Sequence, residues 1–223
     1  MKIAILKNKT FVFNHWSYFL ASAENLTLGS FGDKKTPIGK PNYLLKYYEL
    51  DFSNAEIDSV EQIKLDLSKT AKGDFSVTAD AIVADGNIGV SYDNFKEGRL
   101  VLMKFSISLG AIKDRFNSSS ADSKKAIQEL IKLKKPRIVN QIFVIVSAEF
   151  ASSISNVAEF KIKTNVKGID FIPSGEHIGE NEKKISISKG TVFAYGLLEP
   201  IFKKPKEKAT EIEKLAPDQQ GFG

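Results

Sequence analysis

Apolar and polar positions alternate most sharply in the middle of the chain. Phe75, Val77, Ala79, Ala81 and Val83 share one phase, while Ser76, Thr78 and Asp80 share the other. A period of two predicts a half-buried strand. Asp85-Gly86-Asn87 is a tight-turn signal, after which Ile88, Val90 and Tyr92 continue an alternating run to a second turn at Lys96-Glu97-Gly98. Val101, Met103, Phe105, Ile107 and Leu109 then alternate with Lys104, Ser106 and Ser108, a strand of about the length that crosses a hydrocarbon core. Farther on, Ile142, Val144, Val146, Ala148 and Phe150 share one phase and Phe143 and Ile145 fill the other, which predicts a central strand. A serine-rich turn follows. Ala158, Phe160, Ile162, Thr164 and Val166 then alternate with Glu159, Lys161, Lys163, Asn165 and Lys167. Residues 73–110 and 141–168 therefore read as two strand pairs, each a potential membrane hairpin as well as part of a sheet.

Between the pairs the period changes. Ser118-Ser119-Ser120 offers N-caps, and Ala126, Ile127, Leu130, Ile131 and Leu133 recur near helical spacing until Pro136, which predicts a helix over residues 120–135. From 122 to 137 six basic residues, Lys124, Lys125, Lys132, Lys134, Lys135 and Arg137, face two acidic ones, Asp122 and Glu129. Such a helix can lie on an anionic lipid surface, each basic residue contributing about 1 kcal/mol. The plainer alternative is a helix docked on the sheet by its apolar stripe, with solvated lysines that favour its C-terminal dipole.

The flanks are less regular. Residues 2–6 are apolar, Lys7-Asn8-Lys9-Thr10 is a polar turn and residues 11–16 are aromatic, together a hairpin pattern. Gly29, Gly32, Asp33, Pro37, Gly39 and Pro41 mark residues 25–42 as a surface loop. Residues 43–52 are apolar on both phases and suit a short helix or a doubly buried strand. Residues 184–198 predict a last strand or strand pair, with Lys189-Gly190 as a turn or bulge. Past Pro200 the composition turns to lysine, glutamate, proline and glutamine, a polar, mobile tail with a weak helix around residues 207–215.

Composition narrows the chemistry. The 223 residues, 42% hydrophobic and 26% charged, suit one large domain. No run approaches the roughly 18 apolar residues of a membrane helix, and charge returns by Lys7, too early for a signal peptide. The expectation is a protein made soluble in the cytoplasm. Without cysteine there is no disulfide framework, thiolate nucleophile, cysteine-based zinc site or palmitoylation site. A net charge of +5 permits an anionic partner without choosing between lipid and nucleic acid. His15 and His177, the only histidines, lie far apart, and His15 beside Trp16 reads as a packing or surface residue. The glycines lack phosphate-loop spacing. Asp51, Glu56, Asp58, Glu61 and Asp66 do not fit an EF-hand loop and read as a solvated face. No nucleic-acid module is recognisable. The chain is expected to be no enzyme, to hold no metal and to use no cofactor.

The order of parts resembles the pore-forming domain of the gasdermins. Residues 3–16, an apolar strand, a basic turn and the aromatic strand Phe11-Val12-Phe13, are similar to that family's first hairpin. Residues 75–109 fall where its first membrane hairpin arises. The helix at 120–135, followed by Gln141-Ile142-Phe143-Val144-Ile145-Val146, resembles its helix and central strand. The most specific likeness is Ile185-Ser186-Ile187-Ser188-Lys189-Gly190-Thr191-Val192-Phe193-Ala194-Tyr195, which resembles the family's isoleucine-proline-lysine-glycine signature and the apolar, alanine-aromatic run after it.

The resemblance implies an α+β domain over residues 1–202, a central twisted antiparallel β-sheet with peripheral helices, followed by a tail over 203–223 that would be regulatory. It implies binding of acidic lipid at the inner membrane surface, homo-oligomerisation and insertion of β-hairpins that permeabilise the membrane and kill the cell. An activating protease or partner protein would fit, and no nucleic acid is expected. Lipid contact falls to Lys7, Lys9, Lys132, Lys134, Lys135 and Arg137. The hairpin positions are Phe75, Val77, Val101, Met103, Phe105, Ile107, Val144, Val146, Phe160 and Ile162. The chain departs from the family in lacking an opening amphipathic helix, a large C-terminal repressor and the N-terminal acylated cysteine of many bacterial members. The alternative, from a different class, is a non-lytic binding or scaffold protein whose basic face contacts protein or nucleic acid.

Overall fold

The computed structural model describes residues 2–7, 10–20, 26–38, 42–52, 59–70, 72, 75, 90–154, 160–162, 183–185, 192–203 and 205–218. The first strands, β1 (Lys2–Lys7), β2 (Thr10–Phe13) and β3 (Trp16–Leu20), form an antiparallel meander with Leu6 opposite Phe11 and Phe13 opposite Trp16. Asn14 and His15 turn β2 into β3 with φ of 49° and 67°. Both central residues are left-handed, as a two-residue hairpin requires, and Asn tolerates that conformation best after Gly.

Next come β4 (Ser30–Lys35), β5 (Tyr43–Glu49), β6 (Ser59–Asp66), helix α1 (Tyr92–Lys96) and β7 (Leu100–Ser106). Helices α2 (Leu109–Phe116) and α3 (Ala121–Lys132) lead into the long strand β8 (Pro136–Ser147), which is followed by α4 (Ala148–Ile154). The short strands β9 (Phe160–Ile162) and β10 (Lys183–Ile185) pair with each other in parallel. A second long strand, β11 (Val192–Phe202), a 3-10 turn (Lys206–Lys208) and β12 (Ile212–Asp218) complete the described chain.

Seven strands close into a barrel, because β8 pairs with both β7 and β11 while β11 also pairs with β3. The ring runs β1, β2, β3, β11, β8, β7, β6 and returns to β1. The sheet is mixed rather than antiparallel as the sequence suggested. An odd ring cannot alternate direction throughout, and the one parallel seam joins β1 to β6, Lys2 opposite Ile63 and Ile5 opposite Asp66. The twelve and eleven residues of β8 and β11, at about 3.3 Å each, outrun the ring. Their far halves take β4 beside Ile138 and β12 beside Pro200, and β5 flanks β4.

Two cores result. Leu6, Phe11, Phe13, Ile63, Leu102, Phe143 and Ile145 fill the barrel. Phe143 lies at its centre, edge-on to Phe11 at 4.7 Å and Tyr18 at 4.6 Å. The opposite face of β7 and β8 packs with Leu28, Phe31, Ile112, Phe116, Ile127 and Leu130 in a second core beneath α2 and α3.

Several elements depart from the sequence reading. The expected helix 120–135 is α3, capped by Ser120 through the Ser123 amide, but it stops at Lys132. Pro136 does not end the helix; it opens β8, a strand start being one of the few places a sheet accepts proline. Alternation through Leu109 gives way to α2, because Ser108 accepts from the Ala111 amide and the apolar pair Ile112 and Phe116 is spaced for a helix face. The run expected to continue through Tyr92 contains α1. Residues 30–35, read as loop, are β4, and residues 43–49 resolve as strand β5. Gly32 admits that pairing: a Cβ there would sit 1.9 Å from the Leu45 carbonyl oxygen. Residues 212–218, read as mobile tail, form β12 with Ile212 fully buried and Leu215 6% exposed.

Candidate functional site

Three of the lysines singled out by sequence, Lys132, Lys134 and Lys135, lie on one surface. Lys132, Lys134 and Lys135 are exposed where α3 passes into β8, with Lys132 paired to Glu129 at 3.0 Å. Sequence reasoning missed a second contribution to this surface. The 3-10 turn docks on α3 through Lys206, whose ammonium donates to the Leu133 carbonyl at 2.8 Å, and it brings exposed Lys208 alongside. Five lysines from two distant segments thus meet the two glutamates Glu129 and Glu207 at the carbonyl end of a helix, where cations are favoured.

Arg137 corrects the expectation for this surface. It lies on β8 and is 8% exposed, with its guanidinium 2.5 Å from Asp218 and 3.1 Å from Glu199. Lys34 of β4 reaches Asp218 at 3.0 Å. Burial pushes the Asp218 carboxyl up, but Arg137 and Lys34 outweigh it and hold the group below its ordinary value. Asp33 is similarly raised by burial, then lowered overall by the Lys135 amide and the Lys35 ammonium. Arg137 is therefore engaged within the fold by Asp218 and Glu199 and is largely covered. Lys9 and the side chain of Lys7 lie outside the described residues.

The hairpin positions fall on two faces. Val101 opposes Val146 and Met103 opposes Val144, so with Phe105 and Ile107 they make one continuous apolar band across β7 and β8. All six are at most 4% exposed, covered within the second core. Phe75 belongs instead to the barrel interior, its ring 5.6 Å from that of Phe95. Val77 and the side chains of Phe160 and Ile162 lie outside the described residues, as do residues 186–191 of the motif that carries the family resemblance. Among the described residues no helix is long and apolar enough to cross a membrane.

A cleft of about 510 Å³ opens at the barrel end that carries the Asn14-His15 turn. The interior phase of the barrel turns polar there. Beyond Phe143 it reaches Gln141, beyond Leu102 it reaches Lys104, and beyond Tyr18 it reaches Trp16 at the rim. The register between β8 and β11 slips between Gly196 and Leu197, leaving Asn140 without a partner on β11. Bulges of this kind re-aim side chains and recur beside binding sites. Asn140 is 6% exposed, and its backbone carbonyl accepts from the Ile107 amide at 3.0 Å. Gly196 makes room beside it, since a Cβ there would meet Gln141 Cβ at 3.2 Å and Tyr18 at 3.4 Å. The one sequence signal for this site is the polar pair Asn140-Gln141 inside the apolar run 138–146. In comparison with known proteins the chain matches no family model, no curated protein and no solved structure.

Proposed function

We propose that the chain is a pore-forming protein of the gasdermin type in its closed form, which binds acidic lipid, oligomerises and permeabilises the membrane. The observation that carries this reading is the lysine surface built by α3 and the 3-10 turn. Each lysine near an anionic bilayer contributes about 1 kcal/mol, so the surplus of lysine over Glu129 and Glu207 on this surface adds about 3 kcal/mol of attraction. The apolar band of β7 and β8 supplies an apolar face of the kind a lipid-facing strand pair requires, although Leu102, Phe143 and Ile145 make the other face of the same strands apolar as well.

The test is sedimentation with vesicles containing phosphatidylserine, paired with dye release. Replacing Lys132, Lys134 and Lys135 together by glutamate is expected to abolish vesicle binding while leaving the circular dichroism spectrum unchanged. Unchanged binding removes this surface from the mechanism. The second reading, a non-lytic binding protein, is favoured by one observation: the apolar band is already fully used in the second core. Salt-sensitive retention of RNA or DNA, with intact vesicles, would select it.

A further inference from the structure

We propose that the cleft at the barrel mouth binds a neutral saccharide, a function separate from any action at the membrane. Barrel mouths are a recurrent place for ligands, and about 510 Å³ lies within the roughly 300–1,000 Å³ of small-molecule sites. The walls decide the class of ligand. The two charged side chains that line the cleft, Lys104 and Asp218, are both engaged within the fold. Lys104 Nζ lies 5.9 Å from the centre of the Phe13 ring, and Asp218 is held by Lys34 and Arg137. A charged ligand would therefore enter without a counter-ion, which is costly in a part-closed site. Alkyl chains are excluded too. Phe143 fills the barrel below, edge-on to Tyr18 at 4.6 Å, so no apolar shaft continues downward from the mouth.

What remains is a neutral polar wall over an aromatic floor. The carboxamides of Asn14, Asn140 and Gln141 and the hydroxyl of Ser17 line it. Carboxamides and hydroxyls each donate and accept, which is the pairing that a sugar hydroxyl, itself a donor and an acceptor, requires. Gly196 sets the floor. A Cβ there would stand 3.3 Å from the Gln141 carboxamide oxygen and 3.4 Å from the Tyr18 ring, so the missing side chain gives both groups their place. At the rim, Trp16 and Leu109 are 40% and 43% exposed. A pyranose carries an apolar C–H face beside its hydroxyls, and a rigid indole covers such a face with its N–H left in contact with water. An apolar rim above a wall of neutral hydrogen-bonding groups thus matches an amphipathic, uncharged ligand.

Trp16 is the sole tryptophan, so its fluorescence reports on the rim directly. The full chain is titrated with glucose, galactose, mannose and N-acetylglucosamine, with inorganic phosphate and hexanoate as charged controls, and heats of binding are measured in parallel. The expected result is saturable binding of at least one of the four sugars. Gln141→Leu, close in shape, is expected to weaken that sugar about tenfold or more, as the loss of one buried hydrogen bond does. Trp16→Ala is expected to do the same by calorimetry. Trp16→Phe keeps an aromatic face and is expected to stay within about threefold of the wild type, which guards against a misfolded alanine variant. Three results would each overturn the proposal: no heat and no fluorescence change with any of the four sugars, binding that Gln141→Leu and Trp16→Ala both leave unchanged, or phosphate or hexanoate binding as tightly as the sugar.

Discussion

Asp218→Asn tests the charge cluster that ties the end of the chain to the fold. Asp218 is the last residue of β12, and its side chain is 9% exposed between Lys34 of β4 and Arg137 of β8. Removing one partner of a buried ion pair typically costs about 3–5 kcal/mol, because the remaining charge is left buried and unpaired. Arg137 keeps Glu199 at 3.1 Å, but that carboxylate is 52% exposed and screened, which places the expected loss near about 3 kcal/mol. At a urea slope of about 3 kcal/mol/M the unfolding midpoint falls by about 1 M, followed by far-UV circular dichroism with the slope unchanged. The pH dependence gives an independent reading of the same group. The folded Asp218 carboxyl is held below its ordinary value, so the unfolded chain binds the proton more readily. Its stabilisation is complete above about pH 3.9 and drains away as pH falls through the lower folded value. The wild-type chain should lose this increment on acidification and the variant should not. A midpoint shift inside the roughly 0.5 kcal/mol scatter of surface substitutions would refute the reasoning.

Truncation after Phe202 removes β12 with its six register pairs to β11, the buried side chains of Ile212 and Leu215, and Asp218. Two buried aliphatic side chains at about 1.5–3 kcal/mol each, added to the stripped Arg137, approach the whole stability of a domain. The truncated chain should lose its near-UV dichroism, and a cooperative transition at the full-length temperature would contradict that. Gly32→Ala forces a methyl against the Leu45 backbone, which only a shift of β5 can relieve; a loss of about 3 kcal/mol is expected in the same urea assay. An unchanged midpoint would show that β4 and β5 separate freely.

What could be read from the sequence was local. The spacing of Ala126, Ile127 and Leu130 behind a serine cap gave α3, and alternation gave β7 and the latter part of β8, although the expected runs continued through Leu109 and through Ala148 and Phe150, which belong to α2 and α4. The failures came where a distant partner decides. Residues 30–35 carry two lysines, an aspartate and a glycine, a loop composition, yet β8 and β5 on either side make them a strand. Ile212 and Leu215 stand three apart among charged residues and resemble a weak helix; the free edge of β11 makes them strand, with a bulge at Phe202 to set the register. Barrel closure through β1 and β6 joins residues 61 apart in the chain, and no periodicity records it. Lys132, Lys134 and Lys135 were visible as a run, whereas the commitment of Arg137 to Asp218 and the docking of Lys206 on Leu133 required the fold.

The double burial of β7 and β8 constrains how any pore could form. Their seven register pairs run from Leu100 opposite Ser147 to Ser106 opposite Gln141, with Leu102, Phe143 and Ile145 facing one core and Val101, Met103, Phe105, Val144 and Val146 the other. Pulling the strands apart would dismantle both cores, so a membrane-competent form has to keep the pair and exchange its cover. Exposing those five outer side chains to water would cost about 10 kcal/mol at about 1.5–3 kcal/mol each, within the range of a domain's entire stability. At 1.4 kcal/mol per decade an uncovered form in water has a population of about one in ten million. Waiting for that form is therefore not a workable route. Lipid is as apolar as the helices it would replace, so most of that cost is absent if α2, α3 and α4 lift away only where the bilayer is already in contact. The lysine surface is built partly on α3, so attachment to an anionic membrane and displacement of the cover would act on one helix, which is the coupling a pore-forming reading of this fold requires.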